Sequence, residues 1–188
     1  MAGDIEAVRR LVARDRGLAV VTTLRADSSM QASVVNAGIV AHPLTGGNVV
    51  GFVAIGGTVK LRHLRCRPRA TVVFRVGGGW ASVEGPASLL GPDDTVDGFD
   101  AADLPGLLRE VYLSTGATHD DWPIFDRVMA EERRCVVLVH PDRVYGSGLS
   151  LPIALVPLSP PPDRHPVPAA GPEPASGRAR IRGCWQAE

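Results

Sequence analysis

Several features that mark particular classes of protein are scarce in this sequence. Its 188 residues include three cysteines, widely spaced and without a CxxC pair, so neither a disulfide framework nor a zinc site is indicated. Its 20 basic residues balance 20 acidic ones, which gives no global attraction to nucleic acid or to an anionic membrane. No apolar run is long enough to cross a bilayer.

Signals for export are equally scarce at the N-terminus. Residues 1–6 are polar and lead into an amphipathic pattern, without the basic stretch and apolar run of a signal peptide. A cytoplasmic location is therefore the default expectation. Hydrophobic residues make up 45% of the chain, which is ordinary for a globular protein, and the length suffices for one domain with a sizeable core.

Lysine is the rarest charged residue, since the sequence has one lysine, Lys60, and 19 arginines. The bias towards arginine is typical of a GC-rich genome. A single lysine on that background either indicates a site that needs a compact ammonium group or is a matter of chance. Aromatic residues are also few, at 5% of the chain.

The apolar pattern predicts a mainly β protein. Strands separated by short turns pair antiparallel, because a parallel pair needs a long crossover. Five or six such strands with few, short helices predict an antiparallel barrel with helices at its ends. The predicted strands are 18–24, 31–41, 49–55, 70–76, 80–90 and 135–139, and the predicted helices are 4–15, 58–67, 107–113 and 121–133.

The end of the chain differs in composition from the rest. Nine of the 16 prolines lie in the last 38 residues. We therefore predict a folded domain over residues 1–147 and a Pro-rich, disordered tail over residues 148–188.

The segment that carries the most chemical information is residues 56–69, which follows a predicted strand and begins a helix. Glycines allow close approach of the backbone, and the free N–H groups of a helix start favour an anion. Thr58 can cap the helix or donate its hydroxyl to a phosphate oxygen. Five basic residues with no acidic neighbour indicate an anionic ligand, the alternative being a solvated basic helix: Lys60, Arg62, Arg65, Arg67 and Arg69.

Other motifs are weaker. The spacing of a P-loop is missing, and the three glycines at 77–79 are better explained as a hairpin turn. The paired acids Asp93-Asp94 and Asp120-Asp121 favour a turn and a helix cap over catalysis. A nucleic-acid-binding barrel needs aromatics among its basic residues, and residues 56–69 contain none.

The same segment carries a family resemblance. The pattern Gly-Thr-x-Lys-x-x-x-Leu-Arg-x-x-Pro-Arg-Ala at residues 57–70 resembles the cofactor-phosphate motif of the pyridoxamine-phosphate-oxidase-like flavoproteins, and more narrowly their actinobacterial branch that uses the deazaflavin coenzyme F420. Segments 80–87, 108–122 and 131–145 also resemble this family, in the same order. Together the similar segments span about residues 5–146.

The resemblance implies a split β-barrel homodimer with two cofactor sites at the subunit interface. Gly57, Thr58 and Lys60 would hold the cofactor phosphate, helped by Arg62 or Arg65. Val34, Val35 and Asn36 would lie beside the ring, and Trp80 would border it. Arg133 or Arg134 would reach a charged tail across the interface. His63 stands where the family has Asn, so a contact there departs from the pattern.

The implied function is hydride transfer between the deazaflavin and a small organic substrate. The cofactor performs that chemistry, so no protein nucleophile or metal is expected. FMN is the alternative cofactor, and the dense arginines favour the longer, polyanionic F420. A non-catalytic protein that carries such a cofactor, or a tetrapyrrole, is the alternative function.

Overall fold

The computed structural model of the chain describes residues 5–147, so the predicted tail lies outside the described residues. Within this part, no helix is both long enough and apolar enough to cross a membrane. The helices are α1 (Ile5–Val12), α2 (Val59–Cys66), α3 (Leu104–Ser114) and α4 (Trp122–Glu131), with a 3₁₀ turn at Ala101–Asp103. The strands are β1 (Leu18–Leu24), β2 (Met30–Ala41), β3 (Asn48–Ala54), β4 (Arg69–Val76), β5 (Gly79–Leu90), β6 (Cys135–Val139) and β7 (Arg143–Ser147).

Six strands close an antiparallel barrel in the order β1-β2-β3-β6-β5-β4, with β4 pairing back to β1. Closure depends on two long strands that change neighbours halfway along. β2 pairs with β1 through residues 30–36 and with β3 through residues 37–41. β5 pairs with β4 through residues 79–86 and with β6 through residues 87–90. The predicted antiparallel barrel with short helices is confirmed.

The number of strands differs from the prediction, which allowed five or six. The additional strand, β7, pairs with the first half of β5, where Val144 lies opposite Val83. Most of β7 is exposed and only Val144 packs against the core. A strand with a single inward apolar side chain has no alternating pattern, and this is why sequence periodicity did not reveal it.

The barrel interior is filled by the inward side chains of its strands, among them Phe52, Phe74 and Val83. Helix α2 closes one end of the barrel, because Leu61 and Leu64 are fully buried in the same cluster. A second apolar cluster lies outside the barrel, where α3 packs on β2, β3 and β6. Helix α2 therefore packs with the cluster inside the barrel, and α3 packs on the outside of β2, β3 and β6.

The turn from β6 to β7 passes very close to β5. A Cβ atom on Gly85 would lie 1.8 Å from the backbone oxygen of His140. Since backbone atoms on both sides are fixed by strand pairing, Gly85→Ala should destabilise the protein by about 3 kcal/mol. The matched control is Gly106→Ala in α3, where a Cβ meets nothing within 4 Å. It should stabilise the protein by about 0.5 to 1 kcal/mol through helix propensity. Urea unfolding measures both, and equal stabilities would contradict the close approach.

Candidate functional site

The connection between β3 and α2 is held against the turn that precedes β6. The N–H of Gly56 donates to the backbone oxygen of Glu132 at 3.0 Å. A Cβ on Gly56 would lie 2.7 Å from the backbone oxygen of Arg133, so only glycine permits this contact. The contact brings the start of α2 next to Arg133 and Arg134.

Thr58 occupies the N-cap position of α2 but does not cap the helix with its side chain. Its Oγ1 atom is buried and has no hydrogen-bond partner in the described part of the chain. A buried hydroxyl without a partner is costly, and an oxygen of a bound ligand would satisfy it. Of the two roles predicted for Thr58, capping is therefore not used, and donation to a ligand oxygen remains open.

Lys60 is half-buried in the first turn of α2. Burial lowers the pKa of its ammonium group, and the nearby positive charge of Arg134 lowers it further. Between residues 5 and 147, no carboxylate forms an ion pair with Lys60. Two cations held close together in a partly buried place would both be stabilised by an anion between them.

A cavity of about 380 Å³ lies beside these residues. Its lining includes the polar side chains of Arg16, Asn36 and Arg134 and side chains of α3 and α4, chiefly Tyr112, Phe125 and Met129. The volume lies in the range of small-ligand sites. We call this space the large cavity.

The wall of the large cavity belongs to an aromatic cluster. The rings of Tyr112 and Phe125 lie 5.1 Å apart, and the Trp122 ring lies 5.4 Å from that of Phe125. Arg109 lies 5.2 Å over the Trp122 ring and forms an ion pair with Asp126. Ring packing and the ion pair hold these side chains in place, so the wall of the cavity is apolar and aromatic.

The structure brings four of the predicted site residues into this region. Thr58 and Lys60 lie at the start of α2, and Arg134 is close to Lys60 and lines the large cavity. Asn36 lines the same cavity, and its Nδ2 donates to the backbone oxygen of Arg16 at 2.9 Å. Arg134 thus links the start of α2 to the large cavity, and its closeness to Lys60 is consistent with an anionic ligand.

The other predicted site residues are placed in different surroundings. Val35 is buried inside the barrel, and Trp80 lies on the outer face of β5 against Tyr145. His63 bonds through Nδ1 to the hydroxyl of Thr23 at 3.1 Å. Gly57 has a φ of +71°, and Arg62 is exposed on α2. Contact of these residues with a cofactor stays a prediction.

Arg65 and Arg133, also predicted to bind the cofactor, are engaged by the acidic pair at 93–94. Arg65 donates to both oxygens of Asp94, at 2.7 and 2.8 Å, and Arg133 pairs with Asp93. The hydrogen bonds from Arg65 hold the pKa of Asp94 below its usual value. The pair occupies a turn, as predicted, but it also fixes α2 and the turn before β6 to the same loop.

We call Asp93 and Asp94, with their ion pairs to Arg133 and Arg65, the acidic clamp. The sequence analysis predicted neither this clamp nor most residues that line the large cavity. The signal for the clamp was available, since two adjacent acids face a basic helix across the fold. Arg16, Tyr112 and Met129 gave no local signal, because each belongs to an element distant in sequence from residues 56–69.

The titratable groups do not suggest another kind of chemistry. Burial raises the pKa of the Cys135 thiol to about 12, which makes it a poor nucleophile. Residues 5–147 contain no group of three His, Cys, Asp or Glu side chains placed to hold a metal ion.

No family model matches the chain, so the comparisons with known proteins concern its fold and not its family. A pyridoxamine 5'-phosphate oxidase-related, FMN binding protein from Nostoc punctiforme superimposes with a TM-score of 0.54 at 13% identity, over 76% of this chain and 80% of that one. An F420 reductase gives 0.50 at 14% identity, over 73% and 94%. A heme binding protein from Mycobacterium smegmatis gives 0.52 at 15% identity, over 79% and 55%.

The chain shares with these structures a closed six-stranded antiparallel barrel with short helices. At these identities the likeness concerns the fold alone, and the three structures differ in what their names say they bind. The predicted barrel fold is therefore confirmed, while the F420 branch and the homodimer stay predictions.

The acidic clamp generates a test of stability. Asp94 is only 11% exposed in its side chain, so Asp94→Asn should lower the free energy of unfolding by about 1 to 2 kcal/mol at pH 7. Because the folded pKa of Asp94 is depressed, its contribution is present above the unfolded pKa and is lost as pH falls through the folded pKa. The difference between wild type and variant should therefore shrink below about pH 4.

The control is Asp93→Asn, since Asp93 forms a more exposed ion pair with Arg133. That change should cost less than about 1 kcal/mol. Chemical unfolding at several pH values measures these effects. An Asp94→Asn loss that persists unchanged at pH 3 would show that the ion pair is not its source.

Proposed function

We propose that the protein binds a flavin-type cofactor, with F420 as the first candidate and FMN as the alternative, and that it transfers hydride between this cofactor and a small organic substrate. The observation that carries the proposal is the unpartnered Oγ1 of Thr58 at the start of α2, next to the facing cations Lys60 and Arg134. A phosphate oxygen fits this arrangement of donors.

The large cavity supports the second half of the proposal. Tyr112 and Phe125 give it an apolar, aromatic lining for a ring, and Asn36 lines it as well. The cofactor, when bound, supplies the hydride chemistry. The residues of the chain bind its phosphate, orient its ring and shield it from water.

The choice between F420 and FMN rests on the motif at residues 57–70 more than on charge. Four arginines of the basic surroundings are engaged in ion pairs, namely Arg65, Arg69, Arg133 and Arg134, the last with the exposed Glu132. Their compensation weakens the argument that an excess of positive charge requires a polyanionic cofactor tail. The single phosphate common to both cofactors accounts for Thr58, Lys60 and Arg134.

A homodimer completes the proposal. The outer face of β1 and of the first half of β2 exposes Val20 and Leu24, with Val34 and Met30 opposite them at 64% and 69% exposure. A contiguous apolar sheet face is typical of an interface, and a second copy would cover it. The partner subunit would then border the cofactor sites, as in the resemblance.

A non-catalytic carrier is the second candidate. The split barrel of a heme binding protein supports it, together with the His119 ring that packs 6.2 Å from Tyr112 at the aromatic wall. A carrier and an oxidoreductase differ in the ligand retained, so one titration series separates them.

Binding of F420, FMN and hemin should be measured by fluorescence quenching on the purified full chain. We expect one flavin-type cofactor to bind and Lys60→Ala to weaken it about 10- to 100-fold, because a charged hydrogen bond to phosphate is lost. The control Arg67→Ala removes a charge from the same basic segment but outside the cavity. It should change the affinity by less than about threefold.

The pH profile identifies Lys60 as the group responsible. Burial and Arg134 lower the pKa of Lys60, so the affinity for the phosphate should fall on the alkaline side at a lower pH than an ordinary lysine would give. Lys60→Arg should keep the affinity constant over that range. Binding of hemin alone would favour the carrier, and binding of none of the three would overturn the cofactor proposal.

The dimer is tested by light scattering of the eluting protein. We expect twice the mass of the chain for wild type, and the mass of one chain for Val34→Glu, since a buried charge would oppose association. Leu113→Glu changes a similarly exposed apolar residue on α3 and should remain dimeric. A monomeric wild type at micromolar concentration would contradict the proposed interface.

A further inference from the structure

A second, smaller cavity of about 170 Å³ lies between α3 and α4. Its walls are the apolar side chains of Leu104 and Leu108 on α3 and of Met129 and Ala130 on α4. Met129 and Arg134 line this small cavity and the large cavity alike, so the two spaces share part of one wall. Nothing in the proposed cofactor site accounts for it.

The size of the small cavity restricts what can enter. An apolar cavity of about 150 Å³ holds one benzene molecule. The small cavity therefore suits a single six-membered ring and is too small for a fused three-ring cofactor. Met129 has a flexible side chain that can adjust to the outline of such a ring.

Charge restricts the ligand further. Two ionised side chains reach the small cavity, Asp126 and Arg134. Asp126 is engaged by Arg109, whose Nε lies 2.9 Å from one of its oxygens. Arg134 bonds only to Glu132, an exposed residue two positions earlier, at 2.6 Å. Glu132 is the exposed member of this pair, so a ligand carboxylate could replace it as the partner of the Arg134 guanidinium.

The surroundings of Arg134 make an anion the favoured ligand. Lys60 lies close to Arg134, and the charge of the guanidinium lowers the pKa of the Lys60 ammonium group. One acidic partner, Glu132, thus balances two cations. An acid group placed at Arg134 would reduce the remaining repulsion and could form two parallel hydrogen bonds with its guanidinium.

We propose that the small cavity binds a monocyclic organic anion, such as an aromatic carboxylate, with its ring between Leu104, Leu108 and Met129 and its acid group on Arg134. The inference goes beyond the proposed function. Because Arg134 lines both cavities, a cofactor phosphate and the acid group would compete for its guanidinium, so the inference is tested without added cofactor and concerns binding alone.

The test uses the full chain without added cofactor and three probes of one ring size: benzoate, benzamide and benzylamine. Calorimetric titration should show that benzoate binds at least about tenfold more tightly than benzamide, because of the charged hydrogen bonds. Benzylamine, of opposite charge, should bind most weakly. Benzoate should also raise the melting temperature in proportion to its occupancy.

Location is tested with a variant that fills the space. Ala130 is exposed on α4 and lines only the small cavity, so Ala130→Phe should fold normally and lose benzoate binding at least about tenfold. Arg127→Phe adds the same ring at another exposed position of α4 and should leave benzoate binding unchanged. Circular dichroism and the melting temperature confirm that both variants are folded.

Three results would overturn the proposal: no benzoate binding at millimolar concentration, equal binding of benzylamine, or unchanged benzoate binding to folded Ala130→Phe. Failure of the cofactor proposal has a different signature. In that case no flavin would bind, while benzoate would still bind wild type and not Ala130→Phe.

Discussion

The whole site depends on one backbone contact, in which Gly56 donates to the carbonyl oxygen of Glu132. The residues on either side of this contact are 76 positions apart in sequence, and each carries part of the site. On one side lie Thr58 and Lys60, and on the other lies Arg134. Because a side chain on Gly56 would strike Arg133, the contact admits no other residue. Its geometry sets how closely the two cations approach.

Holding like charges together is unfavourable in the free protein, and the fold compensates for it elsewhere. The acidic clamp of Asp93 and Asp94 binds Arg133 and Arg65, the basic residues that flank the two cations. The structure therefore separates structural arginines, which already have partners, from Lys60, which has no ion pair in the described region. The positive charge without an ion-pair partner is therefore concentrated at Lys60 and is not spread over a broadly basic surface.

The sequence predicted the features that depend on local periodicity and left out those that depend on distant contacts. Apolar strands joined by short turns indicated an antiparallel barrel with short helices, and the structure has that barrel. The short, exposed β7 has no such apolar pattern. Arg65 and Arg133 form ion pairs with Asp94 and Asp93 because the loop at 91–94 folds back onto them. No local sequence pattern predicts such a contact. Tyr112 and Phe125 line the large cavity, which depends on how α3 and α4 pack and not on the periodicity of either helix.

The exchange of neighbours along β2 and β5 also determines the order in which the barrel can assemble. β1, β2 and β3 are consecutive hairpins and can form early, but β3 pairs on its other side with β6, with Ala54 opposite Cys135. That partner follows α3 and α4 in the chain, so a nascent chain that ends before residue 135 leaves an edge of β3 open. Closure requires contacts between segments about eighty residues apart, which slows folding and exposes an unpaired strand edge during synthesis. The helices that wall the large cavity are thus made before the barrel they pack on can close.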